Sequence, residues 1–332
     1  MKPLRVACVG TGFIAGRHLS ALSGFADVEI VAVADTVRAR AQEAAALYGA
    51  RPYDDGLELL ESEELDAVWL CVPPFAHGAL EAAALDRGLP FFVEKPLGLD
   101  LATAVGIGER VRGLGLLTAV GYHWRYLDVV EQAAGFLRDV PAQLVTGHWL
   151  DRTPAAPWWS RRDGSGGQML EQTTHLFDLV RLLVGEVDMV HSVETTASRD
   201  AFPDADVPTA TTAMLRFRSG AIGTLSSTCI LDWRHSVGLR LMAEGRVVEI
   251  SERAITDHEL RVTTADGEHV VQSDDDPIAR EDRDFVDALR GDVERVRVPY
   301  AEALRTHALT LAVDRSAREG VPVECAEELL DA

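Results

Sequence analysis

The first third of the chain alternates short apolar segments with alanine-rich segments of helical length. Near-continuous runs of Val, Leu and Ile are typical of parallel strands that are covered on both faces. The alternation therefore predicts a doubly wound parallel sheet of the α/β class. The predicted strands are residues 4–9, 29–34, 67–72, 90–93 and 117–122, and the predicted helices are residues 15–22, 37–48, 76–87 and 101–114.

The pattern changes after residue 122, where long strand segments begin to dominate. Residues 187–272 contain successive strands separated by glycine-containing turns, which predicts a largely antiparallel sheet. The sequence thus predicts a second, α+β domain over residues 123–332. Its other predicted elements are helices at 129–137, 168–184, 276–290 and 301–318, a strand at 143–150 and a loop at 151–167.

Composition excludes several classes of partner. The formal net charge of −21 opposes binding to nucleic acid and to anionic membrane surfaces. The four cysteines lie far apart without metal-ligand spacing, so we expect neither disulfides nor a metal site. No signal peptide and no apolar stretch of membrane-spanning length is visible, and we expect a cytoplasmic protein.

The segment Gly10-x-Gly12-x-x-Ala15 follows a predicted strand and opens a predicted helix. In this context the first glycine permits a tight turn and the second lets the backbone approach a pyrophosphate. The N-terminus of the predicted helix then supplies N–H groups that favour phosphate. The next predicted strand ends near Asp35, at the spacing of a ribose-binding acid. NAD is therefore the predicted cofactor, with NADP as the alternative because Arg38 could pair with a phosphate.

Three further segments are recognisable in the chain. Cys71-Val-Pro73-Pro74-Phe-Ala-His77 and Glu94-Lys95-Pro96 follow two predicted strands, and Gly166-Gly167-Gln-Met-Leu-Glu171-Gln-Thr-Thr-His175-Leu-Phe-Asp178 opens a later helix. Together with the glycine loop, they resemble the glucose–fructose oxidoreductase / inositol dehydrogenase / MocA family over essentially the whole chain.

The resemblance implies a Rossmann domain at residues 1–122, followed by a domain with a large open sheet that binds substrate and builds homodimers or homotetramers. It also implies reversible hydride transfer between a nicotinamide and a secondary alcohol of a sugar, cyclitol or related polyol. Lys95 and His175 then act at the reacting hydroxyl, with Glu171 as the acid four positions before the histidine. The implied cofactor contacts are Gly10, Gly12, Phe13, Ile14, Asp35, Pro73, Pro74, His77, Glu94 and Lys95.

The residue chemistry supports these roles independently. A histidine can accept the hydroxyl proton because its usual pKa lies near neutrality. Glu171, His175 and Asp178 are spaced i, i+4 and i+7, which predicts one shared face of one helix. Lys95 can donate to the substrate oxygen, whereas Asp178 is expected to be structural, as a partner of Arg181 or as a loop anchor.

Two residues depart from the family's pattern: Glu171 stands where Asp is common, and Thr173 where Gly is common. On the substrate side, the predicted contacts are His123, Arg125 and Trp159 in addition to Lys95, Glu171 and His175. For at least one of Trp158 and Trp159, packing at the domain junction is the favoured interpretation.

Two alternatives to a dehydrogenase remain open at this point. One is an enzyme of the same family that uses tightly held NAD for transient oxidation during glycoside cleavage. The other is a non-catalytic NAD-binding regulator, which would have no need of Lys95, Glu171 and His175.

Overall fold

The computed structural model describes residues 2–325. Its strands are β1 (Leu4–Val9), β2 (Val28–Ala34), β3 (Arg51–Tyr53), β4 (Ala67–Leu70), β5 (Phe91–Val93), β6 (Thr118–Val120), β7 (Leu144–Arg152), β8 (Val187–Thr195), β9 (Ala210–Phe217), β10 (Ile222–Leu231), β11 (Ser236–Ala243), β12 (Arg246–Ala254), β13 (Asp257–Thr264), β14 (Gly267–Ser273) and β15 (Val323–Glu324). Its helices are α1 (Phe13–Ser23), α2 (Arg38–Tyr48), α3 (Gly56–Ser62), α4 (Ala79–Asp86), α5 (Leu101–Leu114), α6 (Asp128–Leu137), α7 (Arg162–Ser165), α8 (Gln168–Glu171), α9 (Thr174–Leu183), α10 (Pro277–Arg290) and α11 (Tyr300–Glu319). No helix in this part of the chain has the length and apolarity needed to cross a bilayer.

The first compact unit is built on a six-stranded parallel sheet of order β3-β2-β1-β4-β5-β6. This is the strand order of dinucleotide-binding folds. The strands stay parallel, but their order runs outward from β1 to β3 on one side and from β4 to β6 on the other, so it switches between β1 and β4. Val6, Trp69 and Phe92 are fully buried in its core, as the continuous apolar runs require. The predicted α/β class is confirmed, and the loops after β1 and β4 lie where such sheets bind ligands.

Two elements of this unit had no predicted counterpart, namely β3 and α3. β3 is a three-residue edge strand that contains a proline and is mostly exposed. It has no apolar run because an edge strand is not covered on both faces, and proline is tolerated at an edge. Helix α3 spans seven residues and is capped by the Asp55 carboxylate, which accepts from Leu57 N.

Residues Ile278–Leu304 also belong to the first unit, whereas the predicted boundary put them in the second domain. Phe285 and Val286 on α10, and Val296 after it, are buried in the same core as β1 and β4. The difference arises because the sequence carries no signal for which core receives an amphipathic helix. The second unit comprises Trp124–Pro277 and the described residues from Arg305 onward; residues 326–332 of the predicted domain lie outside the described part.

The second unit is built on a nine-stranded sheet of order β14-β13-β12-β11-β7-β10-β9-β8-β15. β7 and β10 pair in parallel, and the other pairings of this sheet among the described residues are antiparallel. Apolar side chains of α6 and α9 pack on one face of this sheet. Leu144, Met214 and Ile222 project from the other face and are 41, 46 and 55% exposed. The predicted mostly antiparallel sheet is therefore confirmed, and one of its faces stays open in the single chain.

Candidate functional site

The glycine loop Gly10–Gly12 joins β1 to α1. Gly10 has a φ of +89°, and a Cβ there would lie 2.8 Å from the carbonyl carbon of Cys71 and closer still to its oxygen. A Cβ on Gly12 would meet nothing within 4 Å. No side chain caps the N-terminus of α1 and no acidic residue lies in its first turn. The loop is thus tight at its first glycine and open at its second, which fits a pyrophosphate at the helix N-terminus.

Asp35 lies directly after β2, beside this loop. Its Oδ2 accepts hydrogen bonds from Thr11 N at 3.0 Å and Thr11 Oγ1 at 2.9 Å, while Oδ1 accepts from Val37 N at 2.8 Å. The carboxylate is therefore held at the end of the strand, where it can accept from ribose hydroxyls. Arg38, the predicted alternative partner for a 2′-phosphate, forms an exposed ion pair with Asp54 at 2.7 Å. The residues present fit NAD.

Asp35→Ala is expected to weaken NAD binding by about 10- to 100-fold, because hydrogen bonds to a charged group contribute about 1.5–3 kcal/mol. NADP affinity should fall much less, because the carboxylate that repels its 2′-phosphate is also removed. Fluorescence titration with NADH and NADPH measures both. Asp54→Ala, which removes another acid near Arg38, is the control. An unchanged ratio of the two affinities in Asp35→Ala would show that Asp35 is not the ribose ligand.

The loop after β4 contains Pro73, Pro74 and His77, three of the predicted cofactor contacts. Pro74 begins a short 3₁₀ helix, and the buried ring of His77 lies 2.5 Å from Glu81 through Nδ1. Burial raises the pKa of Glu81, but the charge and hydrogen bond of His77 outweigh it, so the pKa is lowered. Glu81 also accepts from Gly78 N at 2.6 Å. His77 therefore anchors the start of α4, and its contact with the cofactor remains a prediction.

Phe13 and Ile14 lie in the first turn of α1, which begins two residues before the predicted helix. The side chain of Phe13 is 78% exposed, whereas that of Ile14 is half-buried against the core of the first unit. Their contact with the cofactor also remains a prediction.

Glu94 and Lys95 follow β5. Glu94 is buried, its N–H donates to Leu70 O at 2.9 Å, and its Oε2 accepts from Lys95 N at 3.1 Å. Lys95 is partly exposed. It is one of only two lysines among the 32 basic Lys and Arg residues of the chain, the other being Lys2. In so arginine-rich a sequence, a lysine at position 95 is itself a signal for a role that guanidinium does not fill.

The predicted helix over residues 168–184 is interrupted in the structure. α8 ends at Glu171 and α9 begins at Thr174, with a turn at Gln172 and Thr173 between them. Thr173 N donates to Gln168 O, one residue further back than in a regular α-helix. The prediction that Glu171 and His175 share one face of one continuous helix is therefore wrong. The sequence has no proline or glycine at the break to signal it.

Glu171 is held by Trp159, whose Nε1 donates to Glu171 Oε2 at 2.6 Å. Trp159 is 1% exposed and packs with Val207 and Cys229. The structure thus favours the packing interpretation for this tryptophan over a direct contact with substrate. What Trp159 contributes is a fixed position for the carboxylate of Glu171.

Arg125 forms a buried, bidentate pair with Asp178. Nε and Nη2 of Arg125 donate to the two carboxylate oxygens at 2.6 and 2.7 Å, and Thr306 Oγ1 donates to Asp178 Oδ1 at 2.9 Å. This pairing fits the expected structural role of Asp178, with Arg125 as a partner that the sequence analysis did not name. Arg181 pairs with Glu186. Because Asp178 takes two donor groups of the guanidinium, the pair favours a structural role for Arg125 over the predicted substrate contact.

His175 packs beside two indole rings, which also contact each other at a centroid distance of 6.3 Å. Its ring centroid is 6.5 Å from that of Trp124 and 6.1 Å from that of Trp149, with interplanar angles of 19° and 21°. His175 is 3% exposed, so its orientation is set by packing. The sequence analysis did not name Trp124 or Trp149. His123, which starts the 3₁₀ helix His123–Tyr126 after β6, is 6% exposed in the first unit.

The strand order, the tight glycine loop and the fixed acid after β2 together define a domain that binds a dinucleotide. The chain belongs to the Gfo/Idh/MocA oxidoreductase family. The family model described as an oxidoreductase family with an NAD-binding Rossmann fold matches residues 4–122, and the model of the family's C-terminal domain matches residues 137–248. The predicted family, oxidoreductase class and NAD cofactor are thereby confirmed.

Relatives and solved structures agree with this assignment. The chain is 28% identical over 272 residues to an inositol 2-dehydrogenase of Rhizobium meliloti, with 80% of each chain covered. It is 27% identical over 242 residues to a scyllo-inositol 2-dehydrogenase (NAD(+)) of Bacillus subtilis, with 70% of each chain covered. Its fold matches that of the WlbA dehydrogenase from Bordetella pertussis, solved with NADH and UDP-GlcNAcA, with a TM-score of 0.85, 23% identity and coverage of 98% and 99%.

Proposed function

We propose that the protein is an NAD-dependent dehydrogenase that oxidises a secondary alcohol of a cyclitol, sugar or related polyol. The observation that carries the proposal is the presence of Lys95, Glu171 and His175 in a member of this family. The similarity to inositol 2-dehydrogenases over most of the chain supports a polyhydroxylated ring as substrate.

In the proposed reaction, His175 accepts the proton of the reacting hydroxyl as its oxygen becomes a carbonyl oxygen. Bound NAD, which the glycine loop Gly10–Gly12 and Asp35 would hold, would supply the nicotinamide as hydride acceptor. Lys95 donates a hydrogen bond to the same oxygen and stabilises the negative charge that develops there. The two indoles beside His175 restrict its ring to one orientation, which a general base needs.

Glu171 is proposed to provide a carboxylate close to the imidazolium that forms on His175. Its bond from Trp159 keeps this longer acid in one place. His123 is proposed to contact substrate. Arg125 and Trp159 are proposed to stabilise the site without touching substrate, through their hydrogen bonds to Asp178 and Glu171. The Rossmann domain is proposed to hold cofactor, and the second domain to hold substrate and to form the oligomer.

The experiment that tests the function is NADH formation by the purified protein across a panel of cyclitols, sugars and sugar acids, each with NAD and with NADP. We expect reduction of NAD with at least one polyol. Release of free sugar from a glycoside without net NADH would instead indicate the glycosidase-type reaction. Binding of NAD with no reduction by any polyol would indicate a regulator.

We further propose a homodimer or homotetramer built on the open face of the second sheet. Leu144 and Met214 lie on strands that flank β10, opposite Ile222 and Thr224 in register. Apolar side chains on such a flat face favour pairing with a second copy. A cytoplasmic location is part of the same proposal, and the four cysteines are free.

A further inference from the structure

A buried row of hydrogen bonds runs through the first unit behind Lys95. His18 on α1 lies between two carboxylates: its Nε2 is 3.1 Å from Glu94 Oε1 and its Nδ1 is 2.8 Å from Asp282 Oδ1. Trp69 Nε1 donates to the same oxygen of Asp282 at 2.8 Å. His18, Asp282 and Trp69 are fully buried, and Glu94 is 3% exposed. None of these contacts is needed for the proton and hydride transfers proposed above.

The charges in this row hold one another in place. Burial lowers the pKa of His18, yet Asp282 and Glu94 outweigh it and raise that pKa well above its usual value. Burial raises the pKa of Glu94, but the hydrogen bond from His18 and the charge of Lys95 outweigh it and lower that pKa. An imidazolium with a donor on each nitrogen therefore bridges the two carboxylates.

The Glu94 carboxylate fits against Gly121 because glycine has no side chain. A Cβ on Gly121 would lie 2.7 Å from Glu94 Cδ and closer still to Oε1, so a larger residue there would displace the carboxylate. One oxygen of Glu94 is then used by His18 and the other accepts from the backbone N–H of Lys95. His18 is thus linked through the Glu94 carboxylate to the backbone N–H of Lys95.

We propose that His18, supported by Asp282, is a positioning residue that holds Glu94 and through it fixes Lys95 for the reaction. His18 lies six residues after Gly12, on the helix whose N-terminus faces the cofactor loop. The same helix therefore places both the pyrophosphate cradle and, by this row of bonds, the lysine. The proposal rests on the proposed role of Lys95 in the oxidation.

Two variants at one position separate the contacts. The longer side-chain amide that His18→Gln introduces can replace the Nε2 donor toward Glu94, whereas the shorter amide of His18→Asn can replace only the Nδ1 donor toward Asp282. We expect His18→Asn to lower kcat by about 10- to 100-fold, because small misplacement of a catalytic group has effects of this size. The KM values should change little, and His18→Gln should recover part of the lost kcat.

Glu63→Gln is the matched control for loss of a buried charge. Glu63 is 2% exposed in the same unit and accepts from Tyr53 Oη at 2.6 Å, away from Lys95. The Glu63→Gln variant should have a lower thermal unfolding temperature than the wild type and an unchanged kcat. If His18→Asn does not fold, Trp69→Phe removes one donor to Asp282 and should show a smaller loss of kcat in the same direction.

A readout without substrate separates this proposal from the function on which it rests. Reductive methylation with ¹³C-formaldehyde labels Lys95 and Lys2 as the chain's two lysines, and NMR then reports on each. We expect the Lys95 resonance to shift in His18→Asn and to stay unchanged in Glu63→Gln, whether or not a substrate has been found. An unshifted resonance, or wild-type kcat in folded His18→Asn, would overturn the proposal.

A metal ion is the competing interpretation of the same cluster. Ligand atoms of His18, Glu94 and Glu281 all lie within 4.8 Å of one another. Elemental analysis of the purified protein decides between the two. If the wild-type protein contains a stoichiometric metal that His18→Gln lacks, the proposal that hydrogen bonds from His18 hold Glu94 is overturned.

Discussion

Replacement of His175 or Lys95 by alanine is expected to lower kcat by about 10³-fold while leaving the affinity for NAD essentially unchanged. General acid–base catalysis by a positioned side chain contributes about 10²–10⁴-fold, and loss of a donor to a developing oxyanion has an effect of similar size. His175 is not among the predicted cofactor contacts, and Lys95 is one of ten, separate from the glycine loop and the ribose acid, so cofactor binding should largely survive. Steady-state kinetics and NADH fluorescence titration measure the two quantities.

The matched controls are His269→Ala and Lys2→Ala, since both of these side chains are exposed. They should retain wild-type kcat. If His175→Ala and Lys95→Ala both lost cofactor binding, their assignment to the chemical step would fail. If either kept wild-type kcat, that residue would have no part in the reaction.

Alanine at Gly10 is expected to destabilise the fold by about 3 kcal/mol, because a positive φ and a steric overlap act together. A Cβ there enters the carbonyl group of Cys71, which belongs to the backbone after β4 and cannot rotate away as a side chain could. The loop after β1 and the segment after β4 would have to move apart, next to the two strands between which the strand order switches. NAD binding should be lost with the loop geometry.

Gly12→Ala is the matched comparison, two residues further along the same loop. Gly12 has a φ of −74°, and a Cβ there has no neighbour within 4 Å. Its stability should match the wild type, while NAD affinity falls by about 100-fold because the methyl group blocks the close approach of the pyrophosphate. Urea denaturation and NADH titration check both variants. Equal stability of Gly10→Ala and Gly12→Ala would contradict the steric argument.

The sequence predicted the elements whose signals are local. Most of the parallel strands, the glycine loop and Asp35 are visible because buried strands are continuously apolar and the loop motif has a fixed spacing. β3 and α3 were missed because a short, exposed element has neither signal. The break between α8 and α9 was missed because Gln172 and Thr173 are compatible with a helix and only their tertiary surroundings interrupt it.

Pairings between distant residues could not be predicted. Arg125 was assigned to substrate because its position matched the family, yet Asp178, 53 residues later, takes two of its donor groups. His18 carried no signal because a histidine on an amphipathic helix has many possible neighbours. Its partner Asp282 lies 264 residues away on α10, a helix that the sequence assigned to the other domain.

By itself, the sequence predicted the glycine loop and the acid after β2 from residue type and spacing. The lysine and histidine proposed for the reaction were indicated by the resemblance to the family. The tertiary structure alone decided which partners hold the charged side chains: Arg125 with Asp178, Trp159 with Glu171, and His18 between Glu94 and Asp282. The physical reason is that a charge is stable in the core only beside a partner, and the fold, not the order of residues along the chain, supplies that partner.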